Sequence, residues 1–274
     1  MNFDAISKDP VYDKNYPPFT KAFTFPVKGD ELIATMYVAQ GKGPHPTVLL
    51  LHGFPGTEKN FDLAQTMRRA GNNVMVFHYR GCWGSEGSYS IRHVLEDTYA
   101  AVDVLKSDMC VQSCRVDPDN IILMGYSLGG FAALITLANR PDVKSMAFMV
   151  GYNFGRYAKS LYGDENKIKA SEEFWADCFA PLRGTTKEQF IEELVENKDK
   201  WDLIDYAEKL KGKRILMIAG AMDVVADIPN NHQPIFDVLK KNNANDLTAI
   251  IMDIDHDCSN RRIELAQHLL TWLG

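Results

Sequence analysis

NIILMGYSLGGFAALITLANR, residues 120–140, holds an apolar run, a serine between two glycines and a helical pattern, in that order. The run reads as a strand covered on both faces, and the stretch after it as a helix. Between them lies Gly125-Tyr126-Ser127-Leu128-Gly129, the spacing G-x-S-x-G. A serine on so sharp a turn needs neighbours two positions away with almost no side chain, because strand and helix approach closely there. The turn presents the hydroxyl at the carboxyl end of the strand. It also aims the unpartnered N–H groups of a helix N-terminus at the same spot. Ser127 is therefore read as a nucleophile rather than a plain turn residue.

A serine hydroxyl needs a base. Seven histidines are present. His256 follows the last apolar run, in IIMDIDHDCSN, and precedes the final helical pattern, which places it at the carboxyl edge of the sheet. His93 and His268 fall inside helical patterns and His78 inside a strand pattern, whereas His45 and His232 lie on loops with no partner signal. The base needs an acid to hold its tautomer. Asp223, in RILMIAGAMDVVAD, again follows a strand and is preferred to Asp227 further along. Asp253, Asp255 and Asp257 flank His256 too closely in sequence to reach its far ring nitrogen. An oxyanion hole needs two backbone N–H groups. Leu128, directly after the serine, supplies one, and Phe54, in the HGFPG loop at residues 52–56, supplies the other. His52 is read as a hydrogen-bonding residue that shapes this loop.

Outward from the serine, TVLLLH, NVMVFHY, SMAFMVG, RILMIAG and TAIIMDI repeat the strand pattern. Amphipathic stretches such as DLAQTMRRA, VLEDTYAAVDVLK and RRIELAQHLLTWL lie between or after them. FTFPV and LIATMYVA read as an antiparallel hairpin. The expectation is an α/β fold with a mostly parallel sheet of about eight strands and helices on both faces. Residues 152–211 break the rhythm: they show no convincing strand and are rich in aromatics. They read as a small helical cap inserted into a core made of residues 1–151 and 212–274. Thr185 and Glu188 suggest a capping box there.

The composition narrows the function. Among 274 residues, 46% are hydrophobic and 24% charged, as in an ordinary globular chain. A net charge of -6 argues against nucleic acid as a partner. Five cysteines, an odd number in a chain of this size, argue against a disulfide framework. Cys110 and Cys114 lack the spacing of a metal pair. Cys258 reads as a packed small residue. The first nineteen residues carry acids and prolines and no signal-peptide core. No apolar stretch is long enough to span a membrane. A cytoplasmic location is the expectation.

LLLHGFPG, FHYRGCWGSEG, VDPDNIILMGYSLGG, IAGAMDVVAD and DHDCS together resemble the α/β-hydrolase superfamily across nearly the whole chain. The order Ser127, Asp223, His256 matches that superfamily. VDPDNI resembles the subset of prolyl-oligopeptidase-like, acylaminoacyl-peptidase-like and dienelactone-hydrolase-like enzymes, and cinnamoyl and feruloyl esterases are similar in size and cap position. Leu128 departs from the tyrosine of prolyl-oligopeptidase-like peptidases, and Ser127 from the cysteine of dienelactone hydrolases.

The resemblance implies a serine hydrolase that cleaves carboxylic esters through an acyl-enzyme, without metal or organic cofactor. Its substrate would be a small ester, with the aromatic cap supplying an apolar pocket. A small peptidase acting on a short peptide would use the same residues, with cap acids such as Glu172, Glu173 and Asp177 binding an amino terminus. A non-catalytic ligand-binding module on the same fold is the remaining reading. A cap or an edge strand is also compatible with a homodimer.

Overall fold

The computed structural model describes residues 4–242 and 246–274. Eight strands form one sheet: β1 (Phe19–Val27), β2 (Asp30–Val38), β3 (His45–Leu51), β4 (Asn73–Phe77), β5 (Val116–Tyr126), β6 (Ser145–Met149), β7 (Arg214–Gly220) and β8 (Asp246–Met252). Their spatial order is β1-β2-β4-β3-β5-β6-β7-β8. β1 pairs antiparallel with β2, and β2 antiparallel with β4, while the remaining pairs are parallel. The fold class expected from the sequence is the one observed, hairpin included.

The central parallel strands are mainly apolar because each is covered twice, whereas β8 at the edge of the sheet is largely exposed. Leu49 and Leu51 of β3 pack on one face, with helices α2 (Ile91–Leu105) and α4 (Leu128–Asn139). Val48 and Leu50 point to the other, against α1 (Phe61–Arg69) and α9 (Arg262–Leu273). α4 runs through the middle of its layer and is buried on nearly all sides, hence its apolar composition. α3 (Asp108–Cys114) precedes β5 and buries Cys110 and Cys114. α8 (Gln233–Lys241) covers the far end of the same layer.

Parallel strands joined by helices place all their carboxyl ends on one edge. β5 ends at Tyr126, just before Ser127; β7 ends at Gly220, three residues before Asp223; β8 ends at Met252, four before His256. No helix among the described residues is long and apolar enough to cross a membrane.

Between β6 and β7 the chain forms α5 (Phe154–Leu161), α6 (Glu165–Trp175) and α7 (Lys187–Glu196), with 3-10 turns at Ala176–Phe179 and Leu203–Leu210. The capping box of α7 lies one residue later than the sequence suggested: Thr186 caps it and Gln189 answers. Gln serves the box as well as Glu, because its carbonyl also accepts from the N-cap N–H. Most aromatics of the segment turn inward, while Tyr162 and Phe174 are exposed. Phe154, Phe190, Trp175 and Tyr152 are buried, and the Phe190 ring stacks on Phe54 at 4.7 Å, 10° from parallel. Glu193 of α7 accepts from the Ile91 and Arg92 N–H groups at the start of α2, at 2.8 and 3.0 Å. A carboxylate there also complements the helix dipole.

Phe190→Ala should therefore destabilise the protein by about 3–5 kcal/mol, the range for a buried phenylalanine, as read from the denaturant midpoint. A cost under about 1 kcal/mol would mean that the segment does not fold as part of the core.

Candidate active site

The turn after β5 is built on two close approaches. A Cβ on Gly125 would lie 2.1 Å from the Gly129 carbonyl oxygen, and one on Gly129 would lie 2.1 Å from that of Leu51. Neither position tolerates a side chain. Ser127 itself has φ 52° and ψ −115°, a left-handed conformation that costs a non-glycine residue roughly 1–3 kcal/mol. The neighbouring strand helps to hold it, since the Ser127 N–H donates to the Met149 carbonyl at 3.0 Å.

The strain aims Ser127 Oγ at His256. The Ser127 hydroxyl donates to His256 Nε2 at 3.0 Å, and His256 Nδ1–H donates to Asp223 Oδ2 at 2.8 Å. The tautomer follows from the partners: a carboxylate only accepts, so Nδ1 carries the proton and Nε2 is left as acceptor. The other Asp223 oxygen accepts from the Val225 and Ala226 N–H groups, both at 2.8 Å. Asp223 is thereby fixed in orientation. Its side chain is fully shielded, whereas that of His256 is 17% exposed, so water can reach the imidazole but not the carboxylate. Asp227, the competing acid, instead accepts from Asn230 and Asn231 and caps the turn before α8. Asp257 accepts from the Tyr126 hydroxyl at 2.8 Å, tying the serine turn to the histidine loop.

Gly53 lies against the serine: a Cβ there would sit 3.1 Å from Ser127 Cβ. This brings the loop bearing Phe54 to the turn bearing Leu128. The Leu128 N–H opens α4 and has no acceptor one turn back. Among the described residues, no hydrogen bond occupies the Phe54 N–H. His52 shapes this loop from inside. Its Nδ1–H donates to the Gly53 carbonyl at 2.8 Å, and its ring packs on Tyr79. Burial pushes the His52 imidazole down to about 3, and likewise His232 to about 4.

None of Ser127, Asp223 and His256 lines the nearby cavity of about 580 Å³. Two of its lining residues, Tyr152 and Val225, tie it to the site. The Tyr152 N–H donates to the Ser127 carbonyl at 3.3 Å, and the Val225 N–H to Asp223. The lining is more polar than the sequence suggested, because most aromatics of residues 152–211 pack into the common core, on Phe54 and Phe131. Glu173 and Asp177 are exposed, and Glu173 pairs with Lys187 at the surface. Cys258 is buried, as expected of a packed residue.

The Tyr126–Asp257 bond was not legible in the sequence. It links positions 131 residues apart, and an aspartate next to a histidine carries no pattern that names a distant tyrosine. The buried ion pair of Arg80 and Asp97, which anchors the loop after β4, was missed for the same reason.

The family model for the alpha/beta hydrolase fold matches residues 46–190, just over half of the chain. The uncharacterized protein YfhR of Escherichia coli (strain K12) is 26% identical over 164 residues, 58% of this chain and 55% of its own. The chain thus spans about half the length of the curated relatives it matches. Among solved structures, the acylaminoacyl peptidase of Pyrococcus horikoshii superposes with a TM-score of 0.69 at 17% identity, covering 93% of this chain and 41% of that one. Est1E of Butyrivibrio proteoclasticus, solved with ferulic acid, gives 0.68 at 15% identity and covers 92% and 98%. At such identities the likeness is one of fold.

Gly129→Ala should cost about 2–4 kcal/mol of stability, because the Leu51 carbonyl cannot move out of the sheet. An unchanged denaturant midpoint would contradict this packing. The buried histidines set a second expectation. Their folded-state pKa values lie below the ordinary 6.5. Their neutral forms therefore support the fold above about pH 6.5, and that support is lost as the pH falls towards 4. Between pH 7 and 5 each should remove about 1.5–2 kcal/mol. Melting temperature against pH should fall in this window, and His232→Gln should flatten the slope. A slope equal to that of the wild type would assign the acid sensitivity elsewhere.

Proposed function

The chain belongs to the alpha/beta hydrolase fold family, and from that premise we propose that it is a serine hydrolase cleaving carboxylic esters. The observation that carries this reading is the hydrogen-bonded chain from Ser127 Oγ through His256 to Asp223, at 3.0 and 2.8 Å. Ser127 Oγ attacks the ester carbonyl carbon while its proton passes to His256 Nε2. The carbonyl oxygen becomes an anion held by the Phe54 and Leu128 N–H groups, which face charge that develops only in the transition state. His256 then protonates the departing alkoxide, leaving an acyl group on Ser127. Water, deprotonated by His256, attacks that acyl group, and the acid leaves as Ser127 regains its proton. Asp223 holds the tautomer and stabilises the imidazolium throughout.

Residues 152–211 act as a cap in this reading. They seat Phe190 against Phe54 and so fix the oxyanion loop from above, and they supply one wall of the substrate cavity. The aromatic core rigidifies the site, and the polar wall selects the substrate. A peptidase would use the same three residues. Of the acids that would bind an amino terminus, Glu173 and Asp177 are exposed and Glu172 is partly exposed. Asp202, which lines the cavity, is paired with Lys159, and this favours the esterase.

Initial rates on p-nitrophenyl acetate, butyrate and octanoate, methyl ferulate and an alanine p-nitroanilide test the reading. Ester turnover should vanish in Ser127→Ala and in His256→Ala, and the double variant should lose no more than either alone, because the residues act as a unit. Asp223→Asn should lower kcat by roughly 10⁴-fold with the fold intact. Faster cleavage of the anilide than of the esters would make the enzyme a peptidase. Near-normal rates in Asp223→Asn with loss in Asp227→Asn would transfer the acid role to Asp227.

A further inference from the structure

We infer that Arg156 anchors a carboxylate of the substrate, so that the preferred substrates are esters carrying a negative charge away from the scissile bond. This inference rests on the serine hydrolase reading above and names the substrate class for the same site.

The cavity lined by Tyr152 and Val225 has four charged side chains in its lining, Arg156, Lys159, Asp202 and Asp227. Three are already answered. Asp202 is buried and accepts from Lys159 at 2.9 Å and from the Asn153 amide at 2.8 Å. Asp227 accepts from the Asn230 amide at 2.7 Å and from the Asn231 amide at 3.2 Å. Arg156 is half-buried on the first turn of α5, yet among the described residues its guanidinium makes no hydrogen bond and no ion pair. Only its backbone is engaged, donating to the Asn153 side chain.

A guanidinium brings five N–H donors and no acceptor, and burying it in part without a partner is unfavourable. Its planar fork matches a carboxylate through two parallel hydrogen bonds, which a point charge such as a lysine ammonium cannot reproduce. The two tyrosines flanking it, Tyr152 and Tyr157, give the cavity an apolar side for the body of a small substrate. The volume suits such a molecule. The cavity also sits where the anchor is useful. Tyr152 donates its N–H to the Ser127 carbonyl and Val225 donates to Asp223, so the cavity adjoins the loops that carry the serine and the acid. A substrate reaching from Ser127 into it would have its carbonyl at the serine and its charge at Arg156.

The test compares esters that differ only in that charge. One pair is p-nitrophenyl hydrogen glutarate and its methyl ester, with the charge on the acid side. The other is p-acetoxybenzoate and its methyl ester, with the charge on the alcohol side. Acetylthiocholine supplies the opposite charge. In the wild type, kcat/KM for at least one anionic ester should exceed that of its methyl ester by ~10-fold or more, the scale of a charge-assisted hydrogen bond. The ratio should shrink with added salt, approach one in Arg156→Gln and fall partway in Arg156→Lys. Melting temperatures establish that the variants fold; if Arg156→Gln does not, Arg156→Lys decides. Glutarate and p-hydroxybenzoate binding to the Ser127→Ala protein, followed by calorimetry with and without Arg156→Gln, tests the anchor where no turnover occurs. Loss of all ester turnover with Arg156-dependent binding would thus overturn the hydrolase reading alone. Ratios near one in the wild type with no heat of binding would overturn the anchor. So would a ratio unaffected by either Arg156 variant, or a preference for acetylthiocholine, which would point to Asp227.

Discussion

The backbone of Ser127 is the constraint on which the rest depends. A left-handed serine is unfavourable on its own, and the surrounding structure over-determines it. Gly125 lets α4 close over the end of β5, Gly129 lets the same helix meet the end of β3, and β6 accepts the serine N–H through Met149. Three strands and a helix thus converge on one residue. The product is a hydroxyl raised above the sheet edge, with a helix N-terminus beneath it. Any backbone that relaxed this turn would lower the hydroxyl away from His256.

The other site residues inherit their places from that edge. Asp223 and His256 follow β7 and β8, and the parallel sheet brings them together from positions 33 residues apart. The loop that bears Phe54 needs a further support. Phe54 is stacked on Phe190, and Trp175 and Phe179 pack edge-on against it. The segment between β6 and β7 is thereby coupled to the loop that in our account holds the reacting oxygen. In our account its aromatics rigidify the site, while Arg156, Lys159 and Asp202 contribute charge to the cavity. Rigidity and selectivity would then come from different side chains of one segment.

Much of this was legible in the sequence. G-x-S-x-G between an apolar run and a helical pattern located the turn, and the chain order of Ser127, Asp223 and His256 placed the candidates on one edge. Gly53 and the HGFPG loop were equally visible. Side-chain direction was not. The aromatics of residues 152–211 suggested an apolar pocket, but most of the rings pack into the core shared with the sheet and α4, on Phe54 and Phe131. Thr186 rather than Thr185 caps α7, because a boundary read from composition is free to slip by one residue. Contacts across long separations, Tyr126 to Asp257 and Arg80 to Asp97, left no local pattern. The unpaired state of Arg156 depends on what surrounds it in space, which spacing does not encode.

The central claim is that Ser127 is a nucleophile activated by His256. Intact-mass spectrometry after brief exposure to a fluorophosphonate, with peptide mapping of the adduct, tests it directly and requires no knowledge of the natural substrate. The account predicts a single adduct on Ser127, formed rapidly in the folded protein and slowed by orders of magnitude in His256→Ala. An unmodified protein, or an adduct at another residue at the same rate in both proteins, would contradict it.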